Sequence, residues 1–324
     1  MSGPASQLLA VIGLCMLCVG PAAAQGRYAV IVSGASGGAA YAAQYERWCR
    51  DLSTVLVDRF KFDPSAVTVL LDSPQPDLAA TAANVRRLFT SLRDRTTSED
   101  LVLVILVGHG TFDGIDAKFN LVGPDLESSE WAAVLRPLRG RLVVVNTSSA
   151  SFPFLERLAA PRRIVITATD SAAQRFDTVF PEYFIRALTD AASDLDKDAR
   201  ISIWEAFWGA SDGVRRHYRQ RGLLATERAL LDDTGDGMGK DITDLGEDGS
   251  YASRTHLDDG PSNAASTDEV LRRLLQRRAM LMNEVDELTI RRRFLPPDEY
   301  AREFERVMIE LARVSQQIRR RAGS

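Results

Sequence analysis

The stretch Leu101–Gly110 reads LVLVILVGHG, and the fold follows from it. Seven consecutive apolar residues run into Gly108-His109-Gly110. A continuous apolar run of this length predicts a strand buried on both faces, as in a parallel sheet covered by helices. Glycine on either side of His109 lets the backbone bend and approach other groups closely. His109 is therefore expected at the carboxyl end of a central strand, where open α/β sheets place ligands and catalytic groups. A second apolar run, Leu142–Val145, opens into Asn146-Thr147-Ser148-Ser149-Ala150-Ser151. That polar hexapeptide is the natural place for a partner of His109.

Three more short apolar runs, Tyr28–Val32, Val67–Leu71 and Arg163–Thr167, read as strands. Between and after them the spacing predicts helices over Tyr41–Phe60, Thr81–Thr96, Ser128–Leu138, Phe152–Ala159, Pro181–Ala192 and Ile201–Gln220. Residues 111–127 read as a hairpin with its turn at Asp113-Gly114. The repeated β-α order with short links predicts an α/β domain, a mostly parallel sheet with helices on both faces.

At 324 residues, 45% hydrophobic and 26% charged, the chain has ample material for a core. A formal net charge of −4 argues against nucleic acid as a partner. Residues 1–24 read as a secretory signal peptide: an apolar core, Leu8–Val19, too short for a membrane span, precedes Pro21-Ala22-Ala23-Ala24. Export to the periplasm or medium is the expectation, with a mature start near Gln25 and no membrane span. Removing that leader takes Cys15 and Cys18 and leaves Cys49, so no internal disulfide is expected. Cys49 falls in a helical stretch and reads as a small buried hydrophobe.

The domain expected over 25–231 gives way to 232–265, rich in Asp, Gly and Ser and without apolar periodicity, which reads as an acidic linker. Ser266-Thr267-Asp268-Glu269 then fits a helix-capping box. Leu271, Leu274, Leu281, Val285 and Leu288 follow at helical spacing, with Arg278 as the one break. Pro296-Pro297 ends that helix, and Phe304, Val307, Leu311, Val314 and Ile318 mark a second. The pair reads as an α-helical hairpin over 266–324, packed on itself, on the domain, or on another chain as an oligomerisation or docking element.

A histidine between glycines at one strand end, and a polar hexapeptide at the next, resembles the caspase-like cysteine peptidases, the legumain-like branch most closely. In that family one strand ends in His-Gly and the next in Asp/Glu-Ala-Cys before Ser-Gly. Val107-Gly108-His109-Gly110 matches the first motif, and Ala29–Gly34 (AVIVSG) looks like the legumain-like first strand. The resemblance implies a caspase-like fold over roughly residues 27–225. The second motif departs: Ser148 stands at the cysteine position, Asn146 at the acid, and Ala150-Ser151 at the Ser-Gly. A thiol titrates near 8.5, lower beside a histidine, whereas a serine hydroxyl needs a base held within hydrogen-bond reach. The resemblance therefore implies a pseudopeptidase that binds a peptide or protein ligand. The alternative is an active hydrolase, with Ser148 as nucleophile and His109 as general base. Backbone N–H groups near Gly110 and Ser148, in the loop that also holds Asn146 and Ser149, would then form its oxyanion hole. Asp170, just past a strand, would line its substrate pocket and favour basic side chains. A scaffold acting through the hairpin is the third reading.

Asp194–Glu205, DLDKDARISIWE, matches a calcium-binding EF-hand loop. Asp194, Asp196 and Asp198 occupy positions 1, 3 and 5, Arg200 position 7, Ser202 position 9 and Glu205 position 12. Ala199 stands where glycine makes the sharp turn, which predicts weak Ca²⁺ affinity. Asp232–Gly237 is a shorter echo of it. The small-residue loop after the first strand carries neither nucleotide-binding glycine pattern, and no HExxH or cysteine cluster suggests zinc.

Overall fold

The Leu101–Val107 run is the buried middle of a six-stranded sheet, and no residue of it is more than 1% exposed. The computed structural model describes residues 25–258 apart from 197, 245 and 246. Beyond these it describes 270, 273–274, 277–278, 280–281, 284–285, 288, 292 and 295–322. The leader expected over 1–24 and the capping box at Ser266–Glu269 lie outside the described residues.

In chain order the first unit comprises β1 (Arg27–Ser33), α1 (Ala39–Thr54), β2 (Val67–Leu70), α2 (Ala82–Arg95) and β3 (Leu101–Val107). A small antiparallel sheet follows: β4 (Gly110–Phe112), β5 (Ala117–Phe119) and β6 (Leu126–Glu127). Then come α3 (Ser128–Leu135), β7 (Arg141–Asn146), α4 (Phe152–Leu158), β8 (Arg163–Thr167), α5 (Phe180–Ala187), α6 (Ile203–Gln220) and β9 (Leu230–Asp232). The main sheet runs β2-β1-β3-β7-β8-β9, parallel throughout except for β9, which is antiparallel to β8. The α/β class expected from the alternating pattern is therefore the class observed.

The sheet is covered on both sides. Val30, Val32, Val102, Val104, Leu106 and Val144 join one core with Val85, Phe89, Trp131, Leu135, Phe154 and the hairpin residue Phe119. Alternate residues, such as Ala29, Ile31, Leu103, Ile105 and Val143, are equally buried. Strand side chains alternate between faces, so these point the other way. On that side α1 lies against β1 and β3, and α5 packs on α1 and α6. Parallel register brings Ser33 level with Val107, and Leu106 with Asn146. The carboxyl ends of β1, β3 and β7 thus share one edge, and every candidate residue of the two motifs hangs from it.

The linker expectation is corrected over its first part. The first compact unit extends to Thr255. Asp232, Asp233 and Asp248, which read as solvated linker residues, are buried, at 1%, 7% and 7% exposure. Asp232 accepts from the N–H groups of Gly235 (2.7 Å) and Gly237 (2.9 Å). Asp233 accepts from Gly249 (3.0 Å) and Ala252 (2.7 Å), and Asp248 from the Asp233 N–H (3.1 Å). Carboxylates order this segment by satisfying its backbone, an organisation that leaves no apolar periodicity to read. The echo of a metal loop at Asp232–Gly237 is this turn network.

The second unit, His256–Ser324, contains the helix α7 (Pro297–Ala322) and helical residues between 270 and 288. Leu281, Val285 and Leu288 are buried together with Val307 and Val314. Arg277 pairs with Glu310 at 2.5 Å and Glu284 with Arg306 at 2.5 Å, a descending register that makes the hairpin antiparallel. The expected hairpin therefore packs on itself. No helix among the described residues is long and apolar enough to cross a membrane.

Candidate functional site

Gly108, at φ 155°, turns the chain out of β3, while the Gly34 N–H donates to the Val107 carbonyl at 2.9 Å and ties the β1 loop to the same edge. His109 projects between α1 and the segment joining β8 to α5. Its Nδ1 is 3.2 Å from Asp177 Oδ1. Its Nε2 is 3.1 Å from the Tyr45 hydroxyl and 3.2 Å from the Ser36 carbonyl. The Tyr41 ring stands edge-on to the imidazole, 4.8 Å between centroids, and the Tyr41 hydroxyl donates to Asp177 Oδ2. Hydrogen bonding to that carboxylate, and then its charge, raises the Tyr41 phenol. Burial, then the charge of Asp177, raises Tyr45. Both phenols stay protonated beside the His109–Asp177 pair.

Ser148 is fully buried, and its hydroxyl is committed: Oγ donates to Asn146 Oδ1 at 2.7 Å, and the Ser148 N–H reaches the same oxygen at 3.1 Å. Ser148 lies beside the His109 turn, since a Cβ at Gly110 would sit 2.8 Å from its Oγ. Yet the imidazole is engaged elsewhere through both nitrogens, and the expected nucleophile–base pair is not formed. The expected oxyanion donors are also spent. The Gly110 N–H donates to Ser149 Oγ at 3.2 Å, and Ser149 Oγ donates back to the Gly110 carbonyl at 2.9 Å. An asparagine carbonyl two residues before a serine competes with any distant base, because a local Asx-type bond costs little chain entropy.

Asp170 does not present a free charge to a pocket. Its Oδ2 is 2.6 Å from Arg228 Nε, and Arg228 also faces Asp241 at 3.4 Å. Cys49 is buried and its thiol is pushed up to about 12, burial being the main cause, so it is an inert core residue.

The acidic loop adopts part of the expected geometry. Asp194, Asp196 and Asp198 each bring a carboxylate oxygen within 4.8 Å of the others. Asp194 accepts the N–H of Asp198 and of Ala199, both at 3.1 Å, and Ala199 takes φ 66°, the left-handed turn that glycine usually makes. Burial, followed by the charge of Asp198, raises the Asp196 carboxyl. Three hard oxygen donors under mutual repulsion suit a divalent cation. Ser202 and Glu205 do something else. They form the capping box of α6, with Ser202 Oγ accepting the Glu205 N–H at 3.2 Å and Glu205 Oε2 accepting the Ser202 N–H at 2.8 Å. Glu205 Oε1 accepts the Leu195 N–H at 2.7 Å, so this side chain closes the loop onto the helix and is not one of the gathered ligand groups.

Asp177, Tyr41 and Tyr45 carry no motif and went unmarked in the sequence. Glu227 is another such residue. Buried between α5 and α6, it accepts the N–H groups of Val179 (2.8 Å) and Phe180 (3.2 Å) and the Tyr218 hydroxyl (3.0 Å). Burial outweighs these donors and pushes its carboxyl up to about 7 from an ordinary 4.5. Its stabilising contribution is therefore full below about pH 4.5 and lost as pH rises through 7. A tenfold change in proton affinity is about 1.4 kcal/mol, so a rise from 4.5 to about 7 makes the loss on the order of 3 kcal/mol. The melting temperature is expected to fall between pH 5 and 8.5 and to fall less in Glu227→Gln; a rise over that window in the parent chain contradicts the assignment.

No protein-family model matches the chain, and no curated protein matches it. Among solved structures it is similar to the crystal structure of a protein from Geobacter sulfurreducens, at 16% identity and a TM-score of 0.43, covering 64% of this chain and 93% of that one.

Proposed function

We propose that this chain is an exported, non-catalytic relative of the caspase/legumain-like peptidases, which binds a peptide or protein ligand at the carboxyl edge of its sheet. The observation that carries the reading is the state of Ser148: buried, with its hydroxyl given to Asn146 and no bond to His109. A serine without a base in reach stays a protonated, weak nucleophile. The spent N–H groups of Gly110 and Ser148 act in the same direction, since a tetrahedral intermediate would have to displace the acceptors they already hold. The acidic loop supplies a weak calcium site through Asp194, Asp196 and Asp198, whose occupancy would stiffen the start of α6. The leader reading supplies the exported setting, in which a weak site can fill at ~10⁻⁴–10⁻³ M Ca²⁺.

The test is turnover of a mixed peptide library by the purified protein with calcium, comparing wild type, Ser148→Ala and His109→Ala. No turnover by any of the three is expected, together with saturable peptide binding by the wild type. Cleavage by the wild type that both substitutions abolish would overturn the proposal in favour of a Ser148–His109 hydrolase.

A further inference from the structure

A specific piece of chain is bonded to the residues on either side of the buried Ser148 loop, Thr147 and Ala150. The segment Ser171–Thr178, between β8 and α5, runs along the hexapeptide that begins at Asn146. The Ala150 N–H donates to the Gln174 carbonyl at 3.0 Å, and Thr178 Oγ1 donates to the Thr147 carbonyl at 2.5 Å. Both ends of the segment are pinned. Before it, Thr169 exchanges hydrogen bonds with Ser151, the Ser151 N–H reaching Thr169 Oγ1 at 2.9 Å and the Thr169 N–H reaching Ser151 Oγ at 3.1 Å. After it, Glu227 holds Val179 and Phe180. Between these anchors, Asp177 reaches across the edge to His109 and Tyr41.

Two features mark this closed arrangement as one that a ligand could displace. In this arrangement Asn146 Nδ2 and both amide atoms of the segment's own Gln174 are buried without a hydrogen-bond partner among the described residues. Each such group forgoes the hydrogen bond that water would give it in an open state. Ala150 beneath it holds φ 49°, a left-handed conformation disfavoured for a residue with a Cβ. Closure is thus held by a latch on the outside and opposed by unsatisfied amides and backbone strain within. On its crest Phe176 is 66% exposed, an apolar handle on the outer side.

We propose that Ser171–Thr178 is a strap closed over Asn146–Ala150, latched by Asp177 on His109 and Tyr41. Opening it frees the Asn146 Nδ2 donor and the strap's own Gln174 amide, groups suited to the main chain of an extended peptide. The inference rests on the reading of this edge as a ligand site for what opening serves, but not for the strap and its latch. His109, in this account, is a clasp for Asp177, which explains why a histidine uncoupled from Ser148 has both ring nitrogens engaged.

The buried, inert Cys49 permits a direct test. In a Cys15→Ser/Cys18→Ser chain, Ser148→Cys places a single reactive thiol beneath the strap. Its rate of alkylation by iodoacetamide reports opening, whether the site binds or cleaves. Slow labelling is expected in this parent, at least tenfold below that of the unfolded chain, with Asp177→Ala accelerating it tenfold or more and Tyr41→Phe by a smaller factor. Hydrogen exchange at the Ala150 N–H is expected to quicken in parallel, while the melting temperature of Tyr41→Phe stays within a few degrees of the parent. Labelling of the parent at the unfolded rate would overturn the strap. An unchanged rate in both latch variants would overturn the latch. Should Asp177→Ala fail to fold, Tyr41→Phe alone carries the comparison.

Discussion

Gly110→Ala is expected to destabilise the α/β unit by about 3 kcal/mol, the upper end of what a forced overpacking costs. Gly110 has ordinary backbone angles, so the effect is one of space. A Cβ there would overlap the Ser149 carbonyl oxygen and press on Ser148 Oγ. The first of these is backbone and has no rotamer to move into, and the Ser149 hydroxyl, bonded to both the N–H and the carbonyl of Gly110, keeps that residue close. For a unit of this size the loss is a drop in melting temperature of roughly 6–12 °C. Gly38→Ala is the internal control. No atom lies within 4 Å of a Cβ there and its φ is 170°, so a change below about 0.5 kcal/mol is expected. Thermal unfolding followed by circular dichroism checks both. Equal melting temperatures for the two variants would mean that the β3 and β7 turns do not meet as described.

Glu205→Ala carries the second large effect, about 3 kcal/mol of stability. The side chain is 4% exposed and accepts from the Leu195 N–H, the Ser202 N–H and the Ser202 hydroxyl. Truncation orphans buried donors at the start of an 18-residue helix and removes half of its capping box. The calcium response separates this capping role from metal binding. For a dissociation constant of about 1 mM, 10 mM Ca²⁺ stabilises the folded state by about 1.4 kcal/mol. Asp196→Asn is expected to abolish that response while leaving the cap intact. Ala199→Gly is expected to enhance the response by removing on the order of 1 kcal/mol of left-handed strain. A melting temperature indifferent to Ca²⁺ in wild type and Ala199→Gly alike would reduce the acidic triad to a solvated turn.

The β-α alternation was legible residue by residue. A strand buried on both faces must be apolar throughout, and a half-buried helix must repeat its apolar side chains every three to four residues. Both are local rules, so Leu101–Val107, Leu142–Val145 and the stripe through Val307 and Val314 declared themselves without reference to anything distant. The same rules placed His109 and Ser148 each at the carboxyl end of a buried strand, and the pairing of β3 with β7 brings both to one edge of the sheet. The carboxylate spacing of the loop from Asp194 to Glu205 also marked Ala199 as a residue forced into a glycine's turn.

What each polar group bonds to was decided only by the tertiary structure. Asp177 and Tyr45 meet His109 because the β8–α5 connection and α1 converge over the end of β3, and no spacing along the chain encodes that meeting. Asp233 is buried because Gly249 and Ala252 present their N–H groups to it, so a stretch with the composition of a linker belongs to the core unit. Apolar burial depends on how much surface a residue hides, which its neighbours in sequence already imply. A hydrogen bond depends on one atom meeting another within about 3 Å at a favourable angle. For Ser148 that difference separates a nucleophile from a serine held by its neighbour Asn146.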